Sequence, residues 1–282
     1  MSGLKEDSQT QTSKGYTTMG ISVCVVGATG RFGRTILSEL VDAGVRVAGG
    51  VCSESNPLVG RTLREAGLCA SDAPLVGSSD ILEVASNADV VVFASKPEAD
   101  VVNVPRVVGV GRRVVVGTTG FSDQQLGSLL NHLSRVPSVL ASNFSLGANL
   151  LAVFARTLSA FSDHFDFSVV EHHHAAKADA PSGTAKWLAG LLGSGFTVVT
   201  DRAVNPRRRG REVEVFSIRG GSVPGTHLVV ASGSDEVLRI EHTAFSRRAY
   251  ARGCVQACFW VADRDKPGVY TMMDVLGLVQ GV

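Results

Sequence analysis

The stretch Ile21-Ser22-Val23-Cys24-Val25-Val26-Gly27-Ala28-Thr29-Gly30-Arg31-Phe32-Gly33 decides the architecture of this chain. Its first six residues form an apolar, β-branched run, the pattern of a strand buried on both faces of a parallel sheet. Three glycines follow at three-residue intervals, and residues 35–43 then carry Ile36, Leu37, Leu40 and Val41 at helical spacing. A second strand over 45–51 completes a βαβ unit with the glycine turn at its first strand-to-helix junction. Glycines there let a pyrophosphate approach the backbone, and the following helix aims its N–H groups and positive dipole end at it. The turn predicts a dinucleotide site; the plainer alternative is an ordinary tight βα turn.

Outward from this unit the alternation continues. A short helix over 80–86 precedes a buried strand over 88–94, and a strand over 113–116 closes on Gly117-Thr118-Thr119-Gly120. Ser122 is the expected N-cap of a helix presenting Leu126, Leu129, Leu130 and Leu133 on one face. A strand over 139–141 runs into Ser142-Asn143-Phe144-Ser145. The pattern predicts an α/β fold, a Rossmann-like doubly wound parallel sheet over 20–145. After Leu146 the texture changes. Helices are expected over 149–161 and 184–192, with a strand over 165–170 between them. Strands of alternating polarity at 212–219, 227–232 and 237–243 predict an α+β second domain over 146–248, built on a mainly antiparallel open sheet. A helix over 249–261 and a final helix over 270–279 return to complete the first domain. Residues 1–19 are polar and read as a loose extension rather than a signal peptide.

Composition bounds the function. Among 282 residues 44% are hydrophobic and 19% charged, which describes a compact soluble protein. The net charge of +1 offers no general attraction for nucleic acid or membrane, and no apolar run approaches the ~20 residues of a membrane span. The five cysteines are scattered without a CxxC pair. They suit a reducing, cytoplasmic setting and argue against a disulfide framework or a zinc ribbon.

The densest chemistry lies in Glu171-His172-His173-His174-Ala175-Ala176-Lys177-Ala178-Asp179-Ala180-Pro181-Ser182-Gly183-Thr184-Ala185. Consecutive histidines on a strand point to opposite faces, so the three do not readily converge on a metal. His173 is suited to proton exchange near neutrality, and Lys177 to serving as a cationic proton donor. Ser182-Gly183-Thr184 opens a helix whose free N–H groups and two hydroxyls would cradle a carboxylate. Glu171 and Asp179 either orient the imidazole and the ammonium or are plain surface charges. Beside a nicotinamide cofactor, such a set implies reduction of a C=N or conjugated C=C bond with protonation of the neighbouring atom.

These residues resemble one family. Glu171-x-His173-His174-x-x-Lys177-x-Asp179-Ala180-Pro181-Ser182-Gly183-Thr184-Ala185 is similar to the signature of the 4-hydroxy-tetrahydrodipicolinate reductase (dihydrodipicolinate reductase) family of diaminopimelate and lysine biosynthesis. The similarity extends through the glycine turn, Gly117-Thr118-Thr119-Gly120-Phe121, Ala141-Ser142-Asn143-Phe144-Ser145-x-Gly147, Arg219-x-Gly221, Gly225-x-His227 and Ser246-Arg247. The resemblance implies that His173 is a proton donor and acceptor and Lys177 a proton donor. It assigns the substrate, a small dicarboxylate, to His174, Ser182, Gly183 and Thr184. The cofactor, NADPH or NADH, falls to Gly27, Ala28, Thr29, Gly30, Arg31, Phe32, Gly117, Thr118, Thr119, Ala141, Ser142, Asn143 and Phe144. It also implies a homotetramer built through the sheets of the second domain.

Departures gather at the cofactor. The acid and arginine usual after the second strand are Cys52 and Ser53, with Glu54 as a displaced acid and Arg31 within reach of a 2′-phosphate. The Asp-Phe-Thr common at a later strand end is Phe93-Ala94-Ser95, and the Glu usual before His227 is Thr226. These leave NADPH mildly favoured over NADH. Arg207-Arg208-Arg209-Gly210-Arg211 reads as a solvated loop, with attraction of the dicarboxylate as its alternative use.

Overall fold

A computed structural model describes residues 20–278 other than 194, 202, 204 and 205; the extension expected over 1–19 lies outside the described residues. The chain runs β1 (Ser22–Val26), α1 (Arg31–Asp42), β2 (Arg46–Cys52), β3 (Leu75–Gly77), α2 (Ile81–Ala85), β4 (Val90–Phe93), α3 (Pro97–Gly109), β5 (Arg113–Val116), α4 (Asp123–Leu133) and β6 (Pro137–Leu140). All pairings among these strands are parallel. The reason is visible in β1: Val23 and Val25 pack with Ile36, Leu37 and Leu40 of α1, while Cys24 and Val26 face the core under α2, α3 and α4. Apolar residues on both faces need helices on both faces, hence the doubly wound arrangement. Ser122 caps α4 as expected: its hydroxyl accepts from Gln125 N–H at 3.2 Å, and Gln125 Oε1 accepts from Ser122 N–H at 2.9 Å.

The second half contains α5 (Leu146–Ser159), β7 (Asp166–His173), α6 (Gly183–Leu192), β8 (Thr197–Val199), β9 (Glu212–Arg219), β10 (Gly225–Ser232) and β11 (Val237–Ala244). Its sheet has the order β11-β10-β7-β9-β8. The expectation of a mainly antiparallel sheet is corrected here. β10 pairs antiparallel with β11 and β7, but β7–β9 and β8–β9 are parallel, so the sheet is mixed. β9 and β10 are consecutive in sequence, yet β7 lies between them. The five-residue link 220–224 bridges two strand spacings, roughly 10 Å, by passing over the end of β7. Gly220 N–H donates to His173 O at 3.0 Å and His174 N–H to Val223 O at 2.9 Å.

Along β7, Phe167 and Val169 enter the core formed with α5 and α6, and the same alternation carries Glu171 and His173 to that face. The site therefore grows out of the core side of one strand. The chain returns through α7 (Arg248–Ala262), β12 (Gly268–Tyr270) and α8 (Met272–Val275). β12 adds parallel to β6 and makes the first sheet seven-stranded. A strand and a single helical turn thus replace the final helix expected over 270–279, of which residue 279 lies outside the described residues. Arg248 and Arg252 bind Glu39 of α1, and Arg248 also binds Asp42 at 2.7 Å. Cys24, Cys52, Cys254 and Cys258 are buried free thiols and Cys69 is half-buried.

One buried group beneath the strand ends is held against its chemistry. Asp100, in the first turn of α3, is fully buried; the Ser95 hydroxyl donates to Oδ1, and Oδ2 has no partner. Burial pushes its carboxyl up to about 6, against the pull of Ser95 and Thr118. A folded value above the unfolded one penalises stability as pH rises from 3.8 through 6, by at most about 3 kcal/mol. Asp100→Asn is therefore expected to raise the unfolding free energy at pH 7.5 and to leave it unchanged near pH 3.5. Urea titrations at both pH values check this, and an equal effect at both would contradict it.

Candidate active site

Three neighbouring strands bring the polar groups together. Glu171 and His173 share one face of β7, and the register sets Ser217 and Arg219 of β9 on one side, His227 and Gly225 of β10 on the other. Glu171 is fully buried. Arg219 grips it with two hydrogen bonds, Nη1 to Oε2 at 2.9 Å and Nη2 to Oε1 at 2.8 Å. Oε1 also accepts from Ser182 N–H at 3.2 Å, and Oε2 bonds Nδ1 of His173. Burial alone would raise the Glu171 carboxyl, but Arg219, Ser217 and His173 together hold it at about 2.

With Nδ1 engaged by a carboxylate, the proton on that nitrogen is settled and Nε2 is the atom left to exchange one. Burial lowers the His173 pKa, opposed by Glu171 and assisted by Lys177 and Arg219. His227, whose ring stands 5.2 Å from that of His173 at 73°, is driven down to about 3, mainly by burial. Its Nε2 meets the Ser182 hydroxyl at 3.2 Å. Lys177 pairs with Asp179 at 2.7 Å. Burial would raise the Asp179 carboxyl, but Lys177 holds it below its usual range.

Ser182 caps α6 by accepting from Ala185 N–H at 3.2 Å. Its N–H and hydroxyl are thus committed to Glu171, Ala185 and His227. The cradle expected from two hydroxyls narrows to the free N–H groups of Gly183 and Thr184 and the Thr184 hydroxyl. Thr184 Oγ1 accepts from Asn143 Nδ2 at 3.1 Å, a direct tie between the two sheets' loops.

A cavity of about 750 Å3 gathers these residues. His173, Lys177, Ser182, Gly183 and Thr184 line one side, and Thr118, Thr119, Ala141 and Ser142 the other. Lys186 of α6 also lines it and was not among the residues expected from the sequence; nothing in its surroundings there marked it. His172 turns away, with Nε2 at 3.3 Å from Gly220 O. His174 is half-buried under the 220–224 link and does not line the cavity. A smaller adjoining cavity of about 210 Å3 is bounded by Phe32, Gly117, Asn143 and Phe144, together with Arg247 and Tyr250.

The glycine turn fits a dinucleotide. Gly27 has φ +84°, and a Cβ there would stand 2.3 Å from Ala94 O; one on Gly33 would stand 2.1 Å from Gly27 O. The first intrahelical acceptor bond of α1 runs from Arg34 N–H to Gly30 O at 2.9 Å. The N–H groups of Arg31, Phe32 and Gly33 have no intrahelical partner, no side chain caps them, and the first turn has no acid. A diphosphate there needs only backbone donors.

Two alternatives left open by the sequence, Glu54 as a displaced ribose acid and the arginine run as a lure for the dicarboxylate, are not favoured by the geometry. Glu54 is not turned toward a ribose: Ser79 donates to it through N–H at 3.0 Å and Oγ at 2.7 Å, lowering its pKa. The carboxylate capped the turn into α2 instead, beside Gly77. The arginine loop lies at the wrong end of β7. Arg208 pairs with Asp166 at 2.8 Å and Arg211 with Asp163 at 3.0 Å, and Asp166 is seven residues, roughly 23 Å of strand, from His173.

Family models described as dihydrodipicolinate reductase, N-terminus, and dihydrodipicolinate reductase, C-terminus, match residues 21–144 and 147–276. The chain belongs to the dihydrodipicolinate reductase family. Relatives named 4-hydroxy-tetrahydrodipicolinate reductase are 36% identical in Methanopyrus kandleri, covering 91% of this chain and 96% of that protein. In Rubrobacter xylanophilus the figures are 38%, 91% and 98%. The dipicolinate-bound dihydrodipicolinate reductase of Paenisporosarcina sp. TG-14 shares the fold, with a TM-score of 0.69 at 20% identity over 91% of this chain and 99% of that one.

The Arg219–Glu171 pair generates a prediction. A folded value near 2 against 4.5 unfolded contributes stability that is complete above pH 4.5 and lost as pH falls through 2, up to about 3 kcal/mol. Arg219→Ala, which strands a buried carboxylate, is expected to cost about 3–5 kcal/mol at pH 7. Glu171→Gln should flatten the acid limb of the stability curve. Denaturant unfolding from pH 2 to 7 measures both, and an unchanged acid limb in Glu171→Gln would rule the assignment out.

Proposed function

We propose that this chain reduces 4-hydroxy-tetrahydrodipicolinate to tetrahydrodipicolinate in the diaminopimelate route to lysine, the nicotinamide dinucleotide giving a hydride, one proton being taken up, and the 4-hydroxyl leaving as water. The observation that carries this reading is the shared cavity. Imidazole, ammonium and helix-start donors on one side face Thr118, Thr119, Ala141 and Ser142 on the other, in a chain that belongs to the reductase family over nearly its whole length. When bound, the dinucleotide supplies hydride; its diphosphate would rest on the N–H groups of Arg31–Gly33, with Phe32, Gly117, Asn143 and Phe144 around its nicotinamide end. One substrate carboxylate is held by Gly183 and Thr184 N–H, where the α6 dipole favours an anion. The Lys177 ammonium stabilises the negative charge that develops during reduction and donates a proton. His173 exchanges its proton through Nε2, while Glu171 keeps Nδ1 occupied.

NADPH is the preferred donor in this reading. Cys52 is buried with Sγ at 3.7 Å from Val76 O, and Glu54 is spent on Ser79. The one carboxylate near the end of β2 is thus turned to Ser79 rather than left to grip a 2′-hydroxyl, and Arg31 stands exposed in the turn. With enzymatically generated substrate, NADPH is expected to give the higher kcat/KM. Lys177→Ala should lower kcat by roughly 10²-fold or more with NADPH affinity unchanged, and His173→Ala less severely. Normal turnover in both variants would refute their roles; a preference for NADH would refute the donor assignment.

The division into a cofactor domain (20–145 completed by 249–282) and a substrate and assembly domain (146–248) belongs to the same reading. So does a cytoplasmic location, supported by five free thiols. α5 and α6 cover only one face of the five-stranded sheet, and the other exposes Ile218 and Val237. That face is the proposed seam of a homotetramer. Sedimentation equilibrium should return four chains, and a monomer at micromolar concentration would exclude it.

A further inference from the structure

Among the strand neighbours of His173, one place is empty. The antiparallel register pairs Thr226 with His172, so the residue before it in β10, Gly225, stands beside His173 with no side chain. A Cβ there would lie 3.0 Å from His173 Nε2 and equally 3.0 Å from the hydroxyl oxygen of Tyr250. Two polar atoms from distant parts of the chain thus converge on the gap that a glycine leaves.

Tyr250 arrives from the first turn of α7, and its hydroxyl has no hydrogen-bond partner among the described residues. The ring also borders the cavity shared with Phe32, Gly117 and Asn143, between the cofactor turn and the imidazole. Its position is rigid. Gly253, one turn further along α7, packs so closely that a Cβ would stand 1.8 Å from Phe144 O. Arg248 and Arg252 fasten the same helix to Glu39. Burial raises the phenol's pKa, against the nearby Arg247, so the group keeps its proton.

We infer that Tyr250 is a positioning residue for proton exchange at His173: its hydroxyl holds the Nε2 side of the ring through one water in the gap that Gly225 leaves, as Glu171 holds the Nδ1 side. Through that water a phenol serves both states of the imidazole, as a donor towards neutral Nε2 and an acceptor from the Nε2–H of the cation. The bond to the cation is the stronger, so the hydroxyl favours the protonated ring. The other titratable or charged groups facing His173 are Glu171, Lys177, Arg219 and the neutral His227, with Arg247 on α7. None of them changes in a Tyr250→Phe variant, which keeps the ring and removes one oxygen. The functional part of this inference rests on the reductase reading above; its structural part does not.

The test is imidazole NMR of the ligand-free full chain, with His173 assigned by its loss in His173→Ala. In Tyr250→Phe its titration is expected to fall by roughly half a unit to one unit. In turnover, kcat should drop roughly tenfold with NADPH affinity unchanged. Gly225→Ala, whose methyl would separate the two atoms, should shift the titration the same way, and Tyr250→Phe added to it should shift it no further. An unchanged His173 titration in Tyr250→Phe overturns the inference, whatever happens to kcat; if that variant does not fold, Gly225→Ala decides by the same measurement. Wild type that consumes no NADPH with the substrate would overturn the reductase reading and leave the NMR comparison standing.

Discussion

A carboxylate sealed from water is the constraint around which the second half of this molecule is arranged. Moving an ionised carboxyl into a protein interior costs several kcal/mol unless its lone pairs are all met. Glu171 meets them with two donors from Arg219, one from His173 and one from Ser182 N–H. Those donors come from β9, from β7 itself and from the residue that starts α6. One buried charge therefore ties a strand neighbour, an imidazole orientation and a helix start to a single point. Arg219 Nη2 extends the tie to Asp179 O at 2.6 Å, drawing in the segment that carries Lys177. The chemistry is pre-organised because the alternative is an unpaired buried anion.

The partition of roles among the histidines follows from the same neighbourhood. His227 and His173 are both buried and their rings are in contact, yet they differ in what opposes burial. His173 has Glu171 at Nδ1, which supports its charged form; His227 has the serine hydroxyl at Nε2 and an unpartnered Nδ1. His227 is accordingly held neutral near 3 and acts as a hydrogen-bonding strut, whereas His173 remains able to gain and lose a proton. Sequence proximity would have grouped His172, His173 and His174; the strand pleat separates them, and the sheet register supplies His227 from 54 residues away as the true neighbour.

The sequence makes a feature legible only where its signal is local. The first βαβ unit, the Ser122 cap and the strand that leads to Glu171 and His173 all announce themselves by periodicity or by capping chemistry, which are properties of contiguous residues. Pairing is not such a property: nothing in 212–232 says that β7 lies between β9 and β10. α3 was also invisible to periodicity, because Val101, Val102, Val104, Val107 and Val108 are β-branched and Pro105 interrupts the helix interior. Glu54 had the right type and place for a ribose ligand and failed for a long-range reason, the serine pair at 78 and 79. Tyr250 and Lys186 had no local signature at all.

Asn143 ties the two sheets together, and this bears on how the site works. Asn143 donates to Thr184 Oγ1, accepts from Ser145 N–H at 2.9 Å, and offers its own carbonyl to Asn149 at 3.0 Å. Residues 142–145, just after β6, therefore border the cofactor side, start α5 and touch the α6 cradle. A shift of the loop after β6 moves all three together. α7 is fixed to Phe144 by the Gly253 contact and to α1 by its arginines, so Tyr250 moves with the cofactor side, while His173 moves with β7. The gap at Gly225 is thus the place where the two halves meet across the imidazole, and its width is set by the geometry between the sheets rather than by either sheet alone.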